Sequence, residues 1–372
     1  MRSTRGAAGA DGPLAPGSAD RARAGRGPAR RGRRRLTALA LAAGALALAV
    51  AGAPGTAGTA TGSGGGPRTG HAAPGGPVGG PRDAPADPVA LAASAASAAP
   101  ERCADGSLVA ASLRPSGAAG EAVRRIQRSG QLVVGVDQNS FLWGYRDPHT
   151  GALEGFDIDL VGAIARDLLG EDPSIVYRTI PTDQRIPALR DRRVDLVVRT
   201  MTVNCDRRAD VAFSTAYFEA GQQVLAPRAS DVTGYDASLT GRTVCTARGS
   251  TGQSALEADN PGARVVLVPN QLDCLVRLQL GEVDAVVTDS ALAAGQAAQD
   301  PTVALVGEPF TTEYYGVAMN LADEDLVRRV NRVLDDFRSG GADSAWRASY
   351  ERWLDDVMPG RDPSPPTPRY RD

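Results

Sequence analysis

Two stretches of the chain have the residue types to hold a small anion between them. Leu132-Val133-Val134-Gly135-Val136 is an apolar run that stops at Asp137, and Val194-Asp195-Leu196-Val197-Val198 gives way to Arg199-Thr200-Met201-Thr202, with Arg207 shortly after. An apolar strand that ends abruptly in small polar residues, with an arginine close behind, is how an α/β protein offers hydroxyls and a planar guanidinium to a carboxylate. Other chemistries are poorly supplied. The chain has two histidines, His71 and His149, and no CxxC or Cys/His spacing. A histidine-based metal centre or triad is therefore not expected, nor is a cofactor.

The packable part starts near Cys103. Residues 1–35 hold ten Arg and two Asp, a net charge of +8, whereas residues 36–372 carry a net −10. Lysine is absent throughout, which reads as codon bias. After Arg30-Arg31-Gly32-Arg33-Arg34-Arg35 comes an Ala-rich apolar run, Leu36 to Ala53. The order basic, apolar, small is that of an export signal, and Arg33-Arg34-Arg35-Leu36 leaves the twin-arginine route open. A run of 18 residues is at the short end for spanning a bilayer, so residues 1–53 are expected to be either a cleaved signal or a retained anchor. No cysteine near the run offers a lipid attachment point. Residues 54–100 are Gly, Ala, Pro, Ser and Thr with few large apolar side chains, a composition expected to form a disordered tether.

Behind the tether, strands and helices alternate. A helix Glu121–Arg128 precedes strand Leu132–Val136. Tyr145 to Gly151 is turn chemistry, and Asp157 is placed to cap a helix carrying Leu160, Ile164, Leu168 and Leu169. Strand Ile175–Ile180, helix Arg185–Arg190 and strand Val194–Val198 follow. A second set repeats the layout: strand Thr243–Thr246, a small-residue loop Arg248-Gly249-Ser250-Thr251-Gly252, helix Gln253–Ala258, strand Arg264–Val268, helix Leu272–Leu280, strand Ala285–Val287 and a helix after Asp289. Alternation of this kind predicts parallel sheets with a crevice at the strand C-termini, and two similar lobes predict a cleft between them. Aromatics at Trp346, Tyr350 and Trp353 are expected in the core. Four cysteines in an exported chain favour disulfides, with three pairings open; Cys103 with Cys205 and Cys245 with Cys274 is preferred because each then closes within one lobe.

At this point the residues resemble a known family, the extracellular solute-binding proteins of the polar amino-acid type, family 3. The resemblance is carried by Gly155-Phe156-Asp157-Ile158-Asp159-Leu160, Arg185-Ile186-Pro187-Ala188-Leu189, Val194-Asp195-Leu196, Thr200-Met201-Thr202 with Arg207, Phe213-Ser214 and Val283 to Asp289, in consistent order from about Gln131 to Leu354. Gly144-Tyr145-Arg146-Asp147-Pro148 and the ending Pro365 to Tyr370 resemble an actinobacterial glutamate-binding branch. The resemblance implies a two-lobed α/β fold of the periplasmic-binding-protein type II, with two crossover hinge strands around Gly221–Leu225 and Gly316–Met319. Lobe one is then 101–223 with 317–358, lobe two is 224–316, and 359–372 is a Pro-rich tail on the surface. It further implies a monomer that traps an amino acid on closure and is recognised by an ABC permease and ATPase complex, with no nucleic-acid partner.

On that resemblance Arg207 is expected to pair with the ligand α-carboxylate, helped by Thr202 and Thr200, and Asp289 to take the α-ammonium. Ser250 and Thr251 are expected to add hydroxyl or backbone N–H contacts from the other lobe. A second carboxylate on the ligand, in its side chain, needs another cation, because a buried unpaired carboxylate is strongly disfavoured. Arg185, with Thr182 three residues earlier, resembles the arrangement in acidic-amino-acid binders. Asp137 stands where some such relatives have a second arginine. Facing the ligand it would favour an amide side chain, asparagine or glutamine; otherwise it is free to orient Arg185 or bind the ammonium. Tyr145, Phe141 and Trp143 are candidates for pocket walls or core. The leading expectation is an extracellular binding protein for glutamate or aspartate at the membrane surface, not an enzyme. Two alternatives use the same clamp: an amino-acid sensor signalling through a membrane partner, and a dehydratase of this fold using Glu154 or Glu219 as acid.

Overall fold

A computed structural model describes residues 101–372; the leader and tether, 1–100, lie outside the described residues. No helix among the described residues is long and apolar enough to cross a membrane. Lobe one opens with α1 (Glu121–Ser129), which ends at Gly130 in the left-handed region (φ 67°), the conformation glycine adopts most cheaply. Then come β1 (Gln131–Val136), a small meander of β2 (Asn139–Ser140), β3 (Gly144–Arg146) and β4 (Leu153–Glu154), α2 (Phe156–Leu169) and β5 (Ser174–Thr179). After these come α3 (Arg185–Arg190), β6 (Leu196–Val197), α4 (Cys205–Asp210), β7 (Val211–Phe213) and the crossing strand β8 (Phe218–Ala220).

Lobe two comprises β9 (Gln222–Pro227), β10 (Thr243–Ala247), α5 (Thr251–Ala258), β11 (Arg264–Val268), α6 (Gln271–Gln279), β12 (Ala285–Asp289), α7 (Ser290–Gln299) and β13 (Val303–Val306). The chain returns through β14 (Glu313–Tyr315) to β15 (Ala318–Asn320), α8 (Glu324–Arg338) and α9 (Ala345–Trp353) in lobe one.

Each lobe is built on a five-stranded sheet, in the orders β5-β1-β6-β15-β7 and β11-β10-β12-β9-β13. The βαβ units pair in parallel, as the alternation of elements predicts. The sheets are nevertheless mixed: β15 runs antiparallel to β6 and β7, and β9 runs antiparallel to β12 and β13. These are the strands that arrive from the other lobe, so they enter their sheets from the cleft side. The crossovers also fall earlier than Gly221–Leu225 and Gly316–Met319. They are β8 and β14, paired antiparallel with Glu219 opposite Tyr314, whereas Gln222–Pro227 is already an inner strand of lobe two.

Apolar burial holds each lobe together. In α8, Leu326, Val327, Val330, Val333, Leu334 and Phe337 form a buried stripe, each side chain contributing about 1.5–3 kcal/mol. Phe156 at the start of α2 packs edge-on against Trp346, which stacks on Tyr350. Cys103 is bonded to Cys205 at the start of α4, and Cys245 of β10 to Cys274 of α6. Asp157 does not cap α2: Gly155 occupies that position, and Asp157, one residue into the helix, is turned into the interior.

Candidate functional site

The C-terminal ends of the strands face each other across a small, nearly filled hollow. Lobe one lines it with Thr182, Arg185, Arg199, Thr200, Thr202 and Arg207, and lobe two with Ser250, Thr251, Gln271, Asp289 and Leu292. Eight residues singled out from the sequence are thus brought together: Thr182, Arg185, Thr200, Thr202, Arg207, Ser250, Thr251 and Asp289. Asp137 and Tyr145 do not line it. Tyr145 sits in the β2–β3 meander, edge-on to Phe141, beside a separate surface hollow. Trp143 is core, donating to the Ala291 carbonyl at 3.1 Å. Glu154 and Glu219 do not line the hollow either; they lie on β4 and β8.

Arg207 rides on α4, whose start is capped by Asn204 accepting from the Arg207 N–H at 2.9 Å. Its guanidinium donates to the Thr202 carbonyl at 2.7 Å and, across the cleft, to the Gly249 carbonyl at 3.0 Å. Arg185 donates to the carbonyls of Thr182 (2.9 Å), Arg199 (3.4 Å) and Gly249 (3.4 Å). Both arginines are buried, and every hydrogen bond that either guanidinium makes among the described residues is to a backbone carbonyl. Burial first, then the neighbouring charges of Arg207 and Arg199, push Arg185 well down from its ordinary value. A guanidinium does not give up its proton in a protein, so that pressure is a desolvation cost, added to by repulsion, that an incoming anion would offset.

Arg199, missed in the sequence as a site residue, is the third arginine of the hollow. It is paired with Asp137 at 2.8 Å, so Asp137 contacts neither a ligand position nor Arg185 but neutralises its neighbour on the adjacent strand end. Asp157 accepts from the Thr200 N–H at 3.0 Å and from the Tyr217 hydroxyl at 2.8 Å. The bond to Thr200 secures an unusual backbone: Thr200 has φ 40°, a strained value for a β-branched residue, which turns the chain sharply between β6 and Thr202. Burial pushes Asp157 up to about 7.

From lobe two, Asp289 ends β12 and stands at the N-cap position of α7 but makes no capping bond. Its carboxylate accepts instead from Gln222 and, at 2.7 Å, from the Tyr315 hydroxyl on β14. Burial, and then the Glu313 charge, raise it to about 7. The hydroxyls of Ser250 and Thr251 are already engaged. Ser250 caps α5 by accepting from Gln253 N–H and donates to the Ala247 carbonyl; Thr251 donates to Glu313 at 2.9 Å. That leaves the first backbone N–H groups of α5, which helix geometry keeps unbonded, as the donors from this loop. Gly249 has to be glycine: its φ is +73°, and a Cβ there would lie 2.9 Å from the Asp183 backbone of the other lobe. Further bonds cross the cleft from Thr182 N–H to the Pro269 carbonyl (3.1 Å) and from Arg199 to Asn270 (3.3 Å), so the lobes are closed on each other.

Two α/β lobes on a pair of crossover strands, closed on a small hollow with guanidiniums on one wall and a carboxylate on the other, are the architecture of a binding protein that closes on a small polar ligand. Residues 132–356 match the model of bacterial extracellular solute-binding proteins, family 3, and the chain belongs to that family. It is 32% identical to the ABC transporter glutamine-binding protein GlnH of Bacillus subtilis over 229 residues, covering 62% of this chain and 83% of that one. It is 27% identical to the glutamate-binding protein GluB of Corynebacterium efficiens, over 61% of this chain and 78% of the relative. Among solved structures, a mutant of ArgBP from T. maritima superposes with a TM-score of 0.58 at 31% identity, covering 63% of this chain and 99% of that one.

Proposed function

We propose that this chain is the extracellular receptor for an acidic amino acid, glutamate or aspartate in preference to asparagine or glutamine, and delivers it to an ABC importer. The carrying observation is the charge balance of the hollow. Arg185 and Arg207 bond carbonyls alone, Arg199 is neutralised by Asp137, and Asp289 is the lining carboxylate. Two free cations and one anion complement a ligand with two carboxylates and one ammonium. Arg207 takes the α-carboxylate with the first N–H groups of α5, Asp289 takes the ammonium, and Arg185 with Thr182 takes the side-chain carboxylate. In this reading residues 1–53 direct export to the extracellular side of the cell membrane, 36–53 supply the anchor and 54–100 the spacer.

Calorimetric titration with the four amino acids tests the reading. Glutamate or aspartate binds at least about tenfold more tightly than its amide, and Arg185→Ala removes that preference. Equal losses for glutamate and glutamine in Arg185→Ala would refute the assignment. An amide ligand is the second reading, favoured by the unpartnered side-chain carbonyl of Gln271 in the hollow, which suits an NH2 group.

A further inference from the structure

Arg199 differs from its two neighbours in having both a fixed carboxylate partner and an unused donor. Asp137 and Arg199 are each buried to about one-twentieth exposure or less. Asp137 also accepts from the N–H groups of Gln138 (2.8 Å) and Asn139 (3.1 Å) and from the Ser140 hydroxyl (2.8 Å), so four donors account for the acceptor positions of one carboxylate. The guanidinium is thereby fixed at one end and reaches Asn270 of lobe two with the same Nη2. Its Nε is buried without a partner. So are Thr182 Oγ1 and Gln271 Oε1, and all three residues line the hollow. Buried polar atoms left unmatched in one small space call for a polar group between them. Arg207 and Asp289 already account for the main-chain end of an amino acid, which leaves these atoms for the end of its side chain.

We infer that the Arg199–Asp137 pair, facing Gln271 from the other lobe, sets how sharply the site separates acid from amide side chains. The inference deepens the binding reading above and rests on it. Asp137 cancels the charge of Arg199 while leaving its Nε–H free, so Arg199 supplies a directional donor that either a carboxylate or an amide carbonyl accepts. Arg185 supplies the net positive charge. Asp137 is therefore a setting on specificity: with it charged, the preference for the acid is moderate and the amide is still admitted.

The test is the ratio of glutamine to glutamate dissociation constants in three variants, measured by titration calorimetry on protein whose melting is cooperative. Asp137→Asn keeps an acceptor for the Gln138 and Asn139 N–H groups but releases the charge of Arg199; the ratio rises about tenfold or more toward glutamate. Arg199→Gln leaves Asp137 uncompensated, and the ratio falls by a similar factor. Gln271→Glu adds a carboxylate to the same end from the first turn of α6, where a helix tolerates an acid well, and the ratio also falls. This third variant decides the matter should either of the others fail to fold. Equal losses of both ligands, or an unmoved ratio, would show a merely structural pair and overturn the inference. A wild-type protein that prefers the amide refutes the acidic-ligand reading alone, since the shifts in ratio remain measurable; one that binds neither ligand overturns both.

Discussion

Arg207 is the residue on which most of the proposed site depends, because it joins the Thr202 carbonyl of its own lobe and the Gly249 carbonyl of the facing loop in one planar group. Arg207→Ala lowers affinity for every amino acid by about 100-fold or more, since a desolvated carboxylate is left without its partner; a cooperative melt close to wild type shows that the fold persists. Asp289 gives the pH dependence. Its carboxyl, raised to about 7 by burial and Glu313, is largely protonated below that pH in the free protein, while the proposed pairing with a ligand ammonium requires the anion. Affinity therefore falls from pH 8 to pH 5, with up to one proton released per ligand bound, and Asp289→Asn flattens the slope in that window. The sign for stability is opposite. Raised folded-state values at Asp289 and Asp157 mean the native chain holds protons that the unfolded chain releases above about pH 4. Their contribution to unliganded stability accordingly declines between about pH 4 and 7, which urea unfolding at pH 5 and 8 reads directly. Most of the residues that line this hollow were legible because the family resemblance marks them; taken alone, an arginine beside Arg208 reads equally as a surface residue and a small-residue loop as a turn. Arg199 was not, since which way a strand-end side chain turns depends on register, and β6 is two residues long. Gln271 carries no chemical signature in sequence at all.

The elements that hold these residues were legible where a period of 2 or 3.6 persisted, as in α8 and β1, and obscure where tertiary pairing decided the outcome. Nothing in Gln222–Pro227 announces an antiparallel strand inserted beside β12, and nothing short of the fold identifies three-residue strands such as β8 and β14 as the crossing pair. The same limit applied to Asp157: an acidic residue at a helix start reads as a cap, yet here Gly155 turns the chain and frees Asp157 to hold Thr200. The loop before α5 carries its own prediction. Its carbonyl at Gly249 meets Arg185 and Arg207, and a Cβ at this position would crowd Asp183. Gly249→Ala, strained at positive φ and crowded across the cleft, holds the lobes short of full closure. Affinity drops about tenfold or more, and small-angle scattering shows less compaction on adding ligand than in the wild type.

At the scale of the molecule, the two lobes are unequal in how the chain secures them. Glu101 to Leu113 lies along lobe one, bonded through Cys103 to Cys205, and Ser112 pairs with Tyr370 near the C-terminus. Tyr370 also donates to Asp335, Asp372 pairs with Arg328 at 2.6 Å, and Arg361 stacks over Phe218 at 4.6 Å while donating to the Glu219 carbonyl of the crossing strand. The Pro-rich tail thus lies against the surface of lobe one, its residues exposed or partly buried. Removing residues 363–372 lowers stability by about 1–3 kcal/mol in denaturant unfolding and leaves ligand affinity within about threefold, because none of those residues lines the hollow. Both ends of the described chain converge on the same half, and this has a mechanical outcome. A load applied at Glu101 would pass through a disulfide and a clasp of paired termini into one half, while the half bearing Asp289 is joined to it by two short strands and by the hydrogen bonds that span the cleft.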